Sequence, residues 1–153
     1  DQLVLVSTDP DYPAALDERY ISVDWSPEFR ALETTYFGKP HPSRITLGLG
    51  SLSSRYVVAN GRAAYFPARV VEEQIMAGEL HMVADAPAFP FPAYVVWNPE
   101  KDSEILEPAI KLLRGTTMAA NERQVEMIDA AGIEHADGSS ATPLLDTQPL
   151  AAR

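Results

Sequence analysis

Histidines, adjacent acids and glycine-flanked serines are the residues of this chain that could do chemistry, and their spacing limits what they can do. His41, His81 and His135 show neither H-x-H nor H-x-x-x-H spacing, so they do not converge as a metal site must. Glu72 and Glu73 are adjacent within a helical pattern. Neighbours on a helix point about 100° apart, so this pair reads as a solvated face rather than an acid/base couple. Cysteine is absent, which removes disulfides, thiolate nucleophiles and thiolate metal ligands. The remaining candidate is Gly48-Leu49-Gly50-Ser51. It is not a nucleophile elbow, because G-x-S-x-G is missing. It is not a dinucleotide loop either, because Ser53 stands where the third glycine belongs. What it offers is a strand-to-helix turn, with Ser51 read as the helix cap. Backbone N–H groups, the positive helix end and the hydroxyls of Ser51, Ser53 and Ser54 would there suit a small carboxylate or other anion.

The elements that must position this turn follow from hydrophobic pattern and punctuation. Short apolar runs at residues 3–6, 20–23, 45–49, 63–66, 80–83 and 94–97 read as strands. Between them, Ser26-Pro27-Glu28 opens a helix with Phe29, Leu32 and Tyr36 at helical spacing, closed by Gly38. Ser51 opens a second, closed by Asn60-Gly61, and Pro67 a third, with Val70, Val71 and Ile75 inward and Gly78 at its end. Residues 86–92, dense in proline, read as an extended link. Ser103 opens a helix through Leu113, closed by Gly115, and residues 121–131 form one weak helix. Residues 136–153 read as a mobile tail. Strands alternating with helices predict an α/β fold, a mostly parallel sheet with helices on both faces.

The net charge of −10 repels phosphate, and the 12 Lys and Arg are scattered, so the chain itself is not expected to bind nucleic acid. No apolar run approaches the ~20 residues of a membrane span, and no signal peptide is visible. No cofactor is implied.

Three stretches together resemble the effector-binding domain of LysR-type transcription regulators. They are residues 20–37 (Y-I-S-V-D-W-S-P-E-F-R-A-L-E-T-T-Y-F), residues 45–67 (I-T-L-G-L-G-S-L-S-S-R-Y-V-V-A-N-G-R-A-A-Y-F-P), and residues 69–97 containing A-G-E-L-H-M-V-A-D-A-P-A-F-P-F-P-A-Y-V-V-W. Ala63 departs from the family's second glycine in V-A-x-G-x-G; the spacing from Ser51 to Pro67 and on to Gly78-Glu79-Leu80 is kept. The resemblance spans roughly residues 3–114.

This resemblance implies a type 2 periplasmic-binding-protein-like fold, in which two α/β subdomains flank an effector cleft. Residues 1–19 would be the crossing strand and loop, 20–83 subdomain II, 84–115 a return strand and helix of an incomplete subdomain I, and 116–153 a weak helix and tail. It further implies a cytoplasmic regulator that is not an enzyme, homo-oligomeric at full length. Such a regulator binds DNA only through an N-terminal domain preceding Asp1, and it senses a small-molecule effector without any membrane contact. The effector-contacting positions carried over are Ser7 and Thr8 on the crossing strand, Gly50, Ser51, Leu52 and Ser53 at the turn, and Tyr65 near the following proline. On the residues alone, Ser7 and Thr8 are equally an ordinary strand end and Tyr65 a core aromatic. Trp25 either walls the cleft or covers a helix end. A transporter's solute-binding protein with the same fold and a small α/β enzyme are the alternatives. Residues 94–97 would lack their sheet neighbours, so they are expected to pack ad hoc on subdomain II or pair between chains.

Overall fold

The computed structural model describes residues 1–38, 43, 45–98 and 103–133. The strand β1 (Gln2–Ser7) is apolar at four consecutive positions and buried on both sides, and it becomes the spine of the sheet. It pairs antiparallel with β4 (Ala63–Pro67) from Leu3, opposite Pro67, to Ser7, opposite Ala63. On its other edge lie β5 (His81–Met82) and β6 (Phe89–Pro90), both antiparallel to it. A second ladder joins β2 (Ser22–Val23) to β3 (Thr46–Leu47) in parallel. A parallel bridge from Tyr20 to Ala63 ties β2 to β4, with the Ile21 N–H donating to Ala63 O at 2.8 Å. The resulting order is β3-β2-β4-β1-β5.

The sheet is therefore mixed, not mostly parallel. Strands β2, β3 and β4 run one way because a helix crosses back between each, and β1 is inserted against them. Helices do lie on both faces. Alternation along the strands sends Val4, Val6, Ile21, Val23, Ala64 and Phe66 to one side. There they meet α2 (Ser53–Asn60), α3 (Ala68–Met76) and the end of α4 (Ser103–Ala130) through Val57, Val71 and Ile128. Leu3, Leu5, Tyr20, Ala63 and Tyr65 face the other side, where α1 (Pro27–Phe37) brings Phe29.

Local chemistry fixes several boundaries as the sequence indicates. The Ser26 hydroxyl accepts the Phe29 N–H at 3.1 Å, Pro27 sits at N1, and Gly38 closes α1 at φ 71°. Gly61 does the same for α2 at φ 62°. Other expectations fail for physical reasons. Ser51 does not cap a helix: a 3-10 turn (Gly50–Leu52) precedes α2, and its first residue has no side-chain cap. The link at residues 86–92 supplies the unexpected β6, whose Pro90 is tolerated because the strand is at the edge. Residues 94–97 are not a strand. Every edge of β1 is taken by β4, β5 and β6, and Pro92 lacks a donor just before the run, so the segment lies exposed. Gly115 does not end its helix. Gly in a helix interior costs only about 1 kcal/mol, and α4 is anchored further on by Ile128. Thr116 and Thr117 turn their hydroxyls back onto the Leu112 and Leu113 carbonyls. The expected helix at residues 121–131 is the end of this one. The tail at residues 136–153, and His41 and His135, lie outside the described residues.

The first four turns of α4 thus run free of the body. Ile105, Leu112, Leu113 and Met118 are half or more exposed, as are Tyr94, Val95 and Val96. Exposed apolar side chains in this number favour self-association. Light scattering is expected to show an apparent mass rising with concentration, and Leu112→Glu with Leu113→Glu to suppress the rise. A mass independent of concentration in the parent chain would remove this expectation. Among the described residues no helix is long and apolar enough to cross a membrane.

Candidate functional site

Three parallel strands end on one edge of the sheet, and the groups beyond those ends come from separated parts of the sequence. Asp24 and Trp25 follow β2, residues 48–52 follow β3, and Arg69 follows β4 on the first turn of α3. The indole of Trp25 is the fixed point. Its Nε1–H donates to Tyr65 O at 2.7 Å, and its ring packs edge-on against Phe66 and Phe91, with centroids 5.8 and 5.6 Å away. The ring thus packs across the sheet end.

Against this ring sits Gly50. Its φ of 53° is a left-handed value, and a Cβ there would stand 3.8 Å from the Trp25 ring. Space is available, so the backbone conformation is what favours glycine. The tight turn spends two of its N–H groups internally: Leu52 donates to Leu49 O, and Ser53 donates back to Gly50 and Ser51 carbonyls. The N–H groups of Gly50 and Ser51 have no partner among the described residues. Ser51 and Leu52 are exposed beside them. Ser53 is 1% exposed and its hydroxyl has no hydrogen-bond partner among the described residues. Ser54 is also buried and donates to Ser51 O at 3.0 Å, fixing the turn from behind. The Arg69 guanidinium at this edge is committed elsewhere: its Nε lies 2.6 Å from Asp1 Oδ2.

The other sequence-expected positions are not here. Ser7 and Thr8 lie at the opposite end of β1, beside Ala63 and Arg62, because β1 runs antiparallel. At about 3.3 Å per residue, Ser7 is roughly 13 Å along the sheet from Leu3. The Ser7 hydroxyl accepts the Asp9 N–H at 3.0 Å and is buried; the Thr8 N–H donates to Arg62 O. Both behave as a strand end. Tyr65 is fully buried on the α1 face. It donates to Pro87 O at 3.1 Å and stacks edge-on with Phe29 and Phe89. Burial, then the charge of Glu33, pushes its phenol far above the usual tyrosine range. It behaves as a core aromatic. So the structure brings together Gly50, Ser51, Leu52 and Ser53, adds Trp25, and separates Ser7, Thr8 and Tyr65 from them.

Sequence reading also overlooked Glu33, which α1 buries against Tyr20 with the Tyr20 hydroxyl donating to its carboxylate. The signal was available: Glu33 is four residues after Phe29, on the same helix face. Among the described residues no group of His, Asp and Glu is placed to hold a metal.

No family model matches the chain, and no curated protein matches it. Among solved structures, it is similar to Vibrio fischeri DarR, solved in complex with DNA and described as revealing the transcriptional activation mechanism of LTTR family members. That match has 14% identity over 55% of this chain and 32% of that one, with a TM-score of 0.44. It is also similar to VV2_1132, a LysR family transcriptional regulator, at 17% identity over 53% of this chain and 28% of that one, TM-score 0.40. Both neighbours are LysR-family transcriptional regulators, and the chain spans about a third of their length.

Proposed function

We propose that this chain is the effector-sensing part of a LysR-type transcription regulator, and that the turn at Gly50–Leu52 with Trp25 forms one wall of its effector site. The observation that carries the reading is the pair of N–H groups at Gly50 and Ser51 that have no partner among the described residues. They sit beside an indole wall, at the edge where three parallel strands end. Ligands of open α/β sheets bind beyond the carboxyl ends of strands, and successive backbone N–H groups suit an anion. The order of elements agrees with the sequence resemblance: a crossing strand, then strand and helix alternating from residue 20 to residue 83.

On this reading the fold is that of a type 2 periplasmic-binding-protein subdomain. The effector is a small, anionic metabolite, and the full regulator is a cytoplasmic oligomer whose DNA contacts come from another domain. The chain is not an enzyme. Its output is a population shift: a ligand held by both cleft walls favours one closure state by the difference in its affinity for the two. Of the residues carried over from the family, Gly50, Ser51, Leu52 and Ser53 remain assigned to the effector. Ser7, Thr8 and Tyr65 would act only as support.

Titration with benzoate and with succinate, followed by amide NMR, tests the site. The Gly50 and Ser51 amides are expected to shift first. Ser51→Ala is expected to weaken binding about fivefold, the effect of roughly 1 kcal/mol for one hydrogen bond. Binding that leaves those two amides unmoved would place the site elsewhere.

A further inference from the structure

We infer that the groove between α2 and α3 is a second small-molecule site, built for a zwitterion of the α-amino-acid type with an apolar side chain. The groove is open to solvent and offers about 440 Å³, a volume a small ligand can fill. Arg55 lines it from α2, Glu73 from α3, and Glu79 from the segment after α3. None of these three side chains has a hydrogen bond or ion pair among the described residues. Opposite charges that face one hollow without closing on each other leave room for a molecule carrying both signs. The guanidinium would take the carboxylate in two-pronged fashion, and the two glutamates would take the ammonium.

The rear of the groove is ordered by polar contacts. Gln74 donates from Nε2 to the Ser54 hydroxyl at 3.2 Å, and Ser54, 5% exposed, donates onward to Ser51 O at 3.0 Å. With Nε2 so held, the Gln74 carbonyl oxygen has no partner among the described residues and is a further acceptor for an ammonium. Val58 and Val70, half-buried, supply the apolar surface for the ligand's side chain. The hydrogen-bond relay through Ser54 also connects this groove to the turn assigned to the effector. The inference itself rests on the groove alone, and its failure leaves the turn's reading untouched.

Calorimetric titration of the whole chain with L-leucine tests it, alongside 4-methylpentanoate, which lacks the amine, and 3-methylbutylamine, which lacks the carboxylate. L-leucine is expected to bind about tenfold more tightly than either analogue. Arg55→Gln and Glu73→Gln, both at exposed positions, are each expected to weaken L-leucine about fivefold with an unchanged melting temperature, as roughly 1 kcal/mol per exposed charge contact implies. Ser51→Ala should leave L-leucine binding intact, which separates the groove from the turn. Equal binding of all three compounds, no binding at millimolar L-leucine, or indifference to both substitutions would overturn the inference.

Discussion

Trp25→Ala is expected to destabilise the fold by about 3–5 kcal/mol, the usual cost of removing a packed tryptophan. Three losses combine. The Tyr65 carbonyl loses the indole donor at 2.7 Å, Phe66 and Phe91 lose their edge-on partner, and the sheet end beside Gly50 opens to water. Trp25→Phe separates these contributions. It retains an aromatic wall but leaves Tyr65 O unsatisfied, which costs about 1–3 kcal/mol. Urea unfolding reads both values. If Trp25→Ala costs less than about 1 kcal/mol, the indole is peripheral and the proposed wall of the effector site goes with it.

Tyr20→Phe is expected to cost about 2–4 kcal/mol, because it takes a donor from a carboxylate that α1 buries. Tyr20 and Glu33 are each 1% exposed. The double change Tyr20→Phe with Glu33→Gln is expected to recover part of the loss, since a neutral amide tolerates burial better than a charge. No recovery would mean that shape, not charge, dominates there. The same buried phenols set an alkaline limit. Burial, followed by the charge of Glu33, pushes Tyr20 well above the usual tyrosine value. Burial also raises Tyr12 to about 12. A raised folded pKa means the folded state holds its proton longer than the unfolded chain. This contribution is therefore complete below pH 10 and is lost as pH rises toward and beyond 12. Melting temperatures taken in steps above pH 9 should stay level at first and then fall.

Much of the fold was legible because local signals and burial agree. The caps at Ser26 and Gly38 and the stop at Gly61 are local chemistry, and β1 and β4 stand out as continuous apolar runs. Direction was harder to read. A strand such as β1, apolar on both faces, reads the same whether it runs with or against its neighbours, so its insertion between β4 and β5 had no local signature. Residues 94–97 have strand composition, but both edges of β1 are already taken by β4, β5 and β6, which is a tertiary fact. Gly115 is a stop signal that the helix formers on either side override.

The site was half legible for the same reason. Gly50 to Ser53 is a local turn and could be found. Ser7 and Thr8 are grouped with it through the family resemblance, and the antiparallel register places them at the far end. Trp25 carried no decisive local sign. Its role depends on Tyr65, forty residues away, and on Phe91, which arrives later still.

The placement of β1 also sets a timetable for synthesis. This strand leaves the ribosome before any of its partners, which are residues 63–67, 81–82 and 89–90. At about 5–20 residues per second, four consecutive apolar residues wait roughly 3–12 s for the first of them. During that time the segment is an unpaired β-former within reach of other nascent chains. Until those partners emerge the central strand depends on chaperone protection, and slowing translation between residues 10 and 60 would be expected to lower the soluble yield.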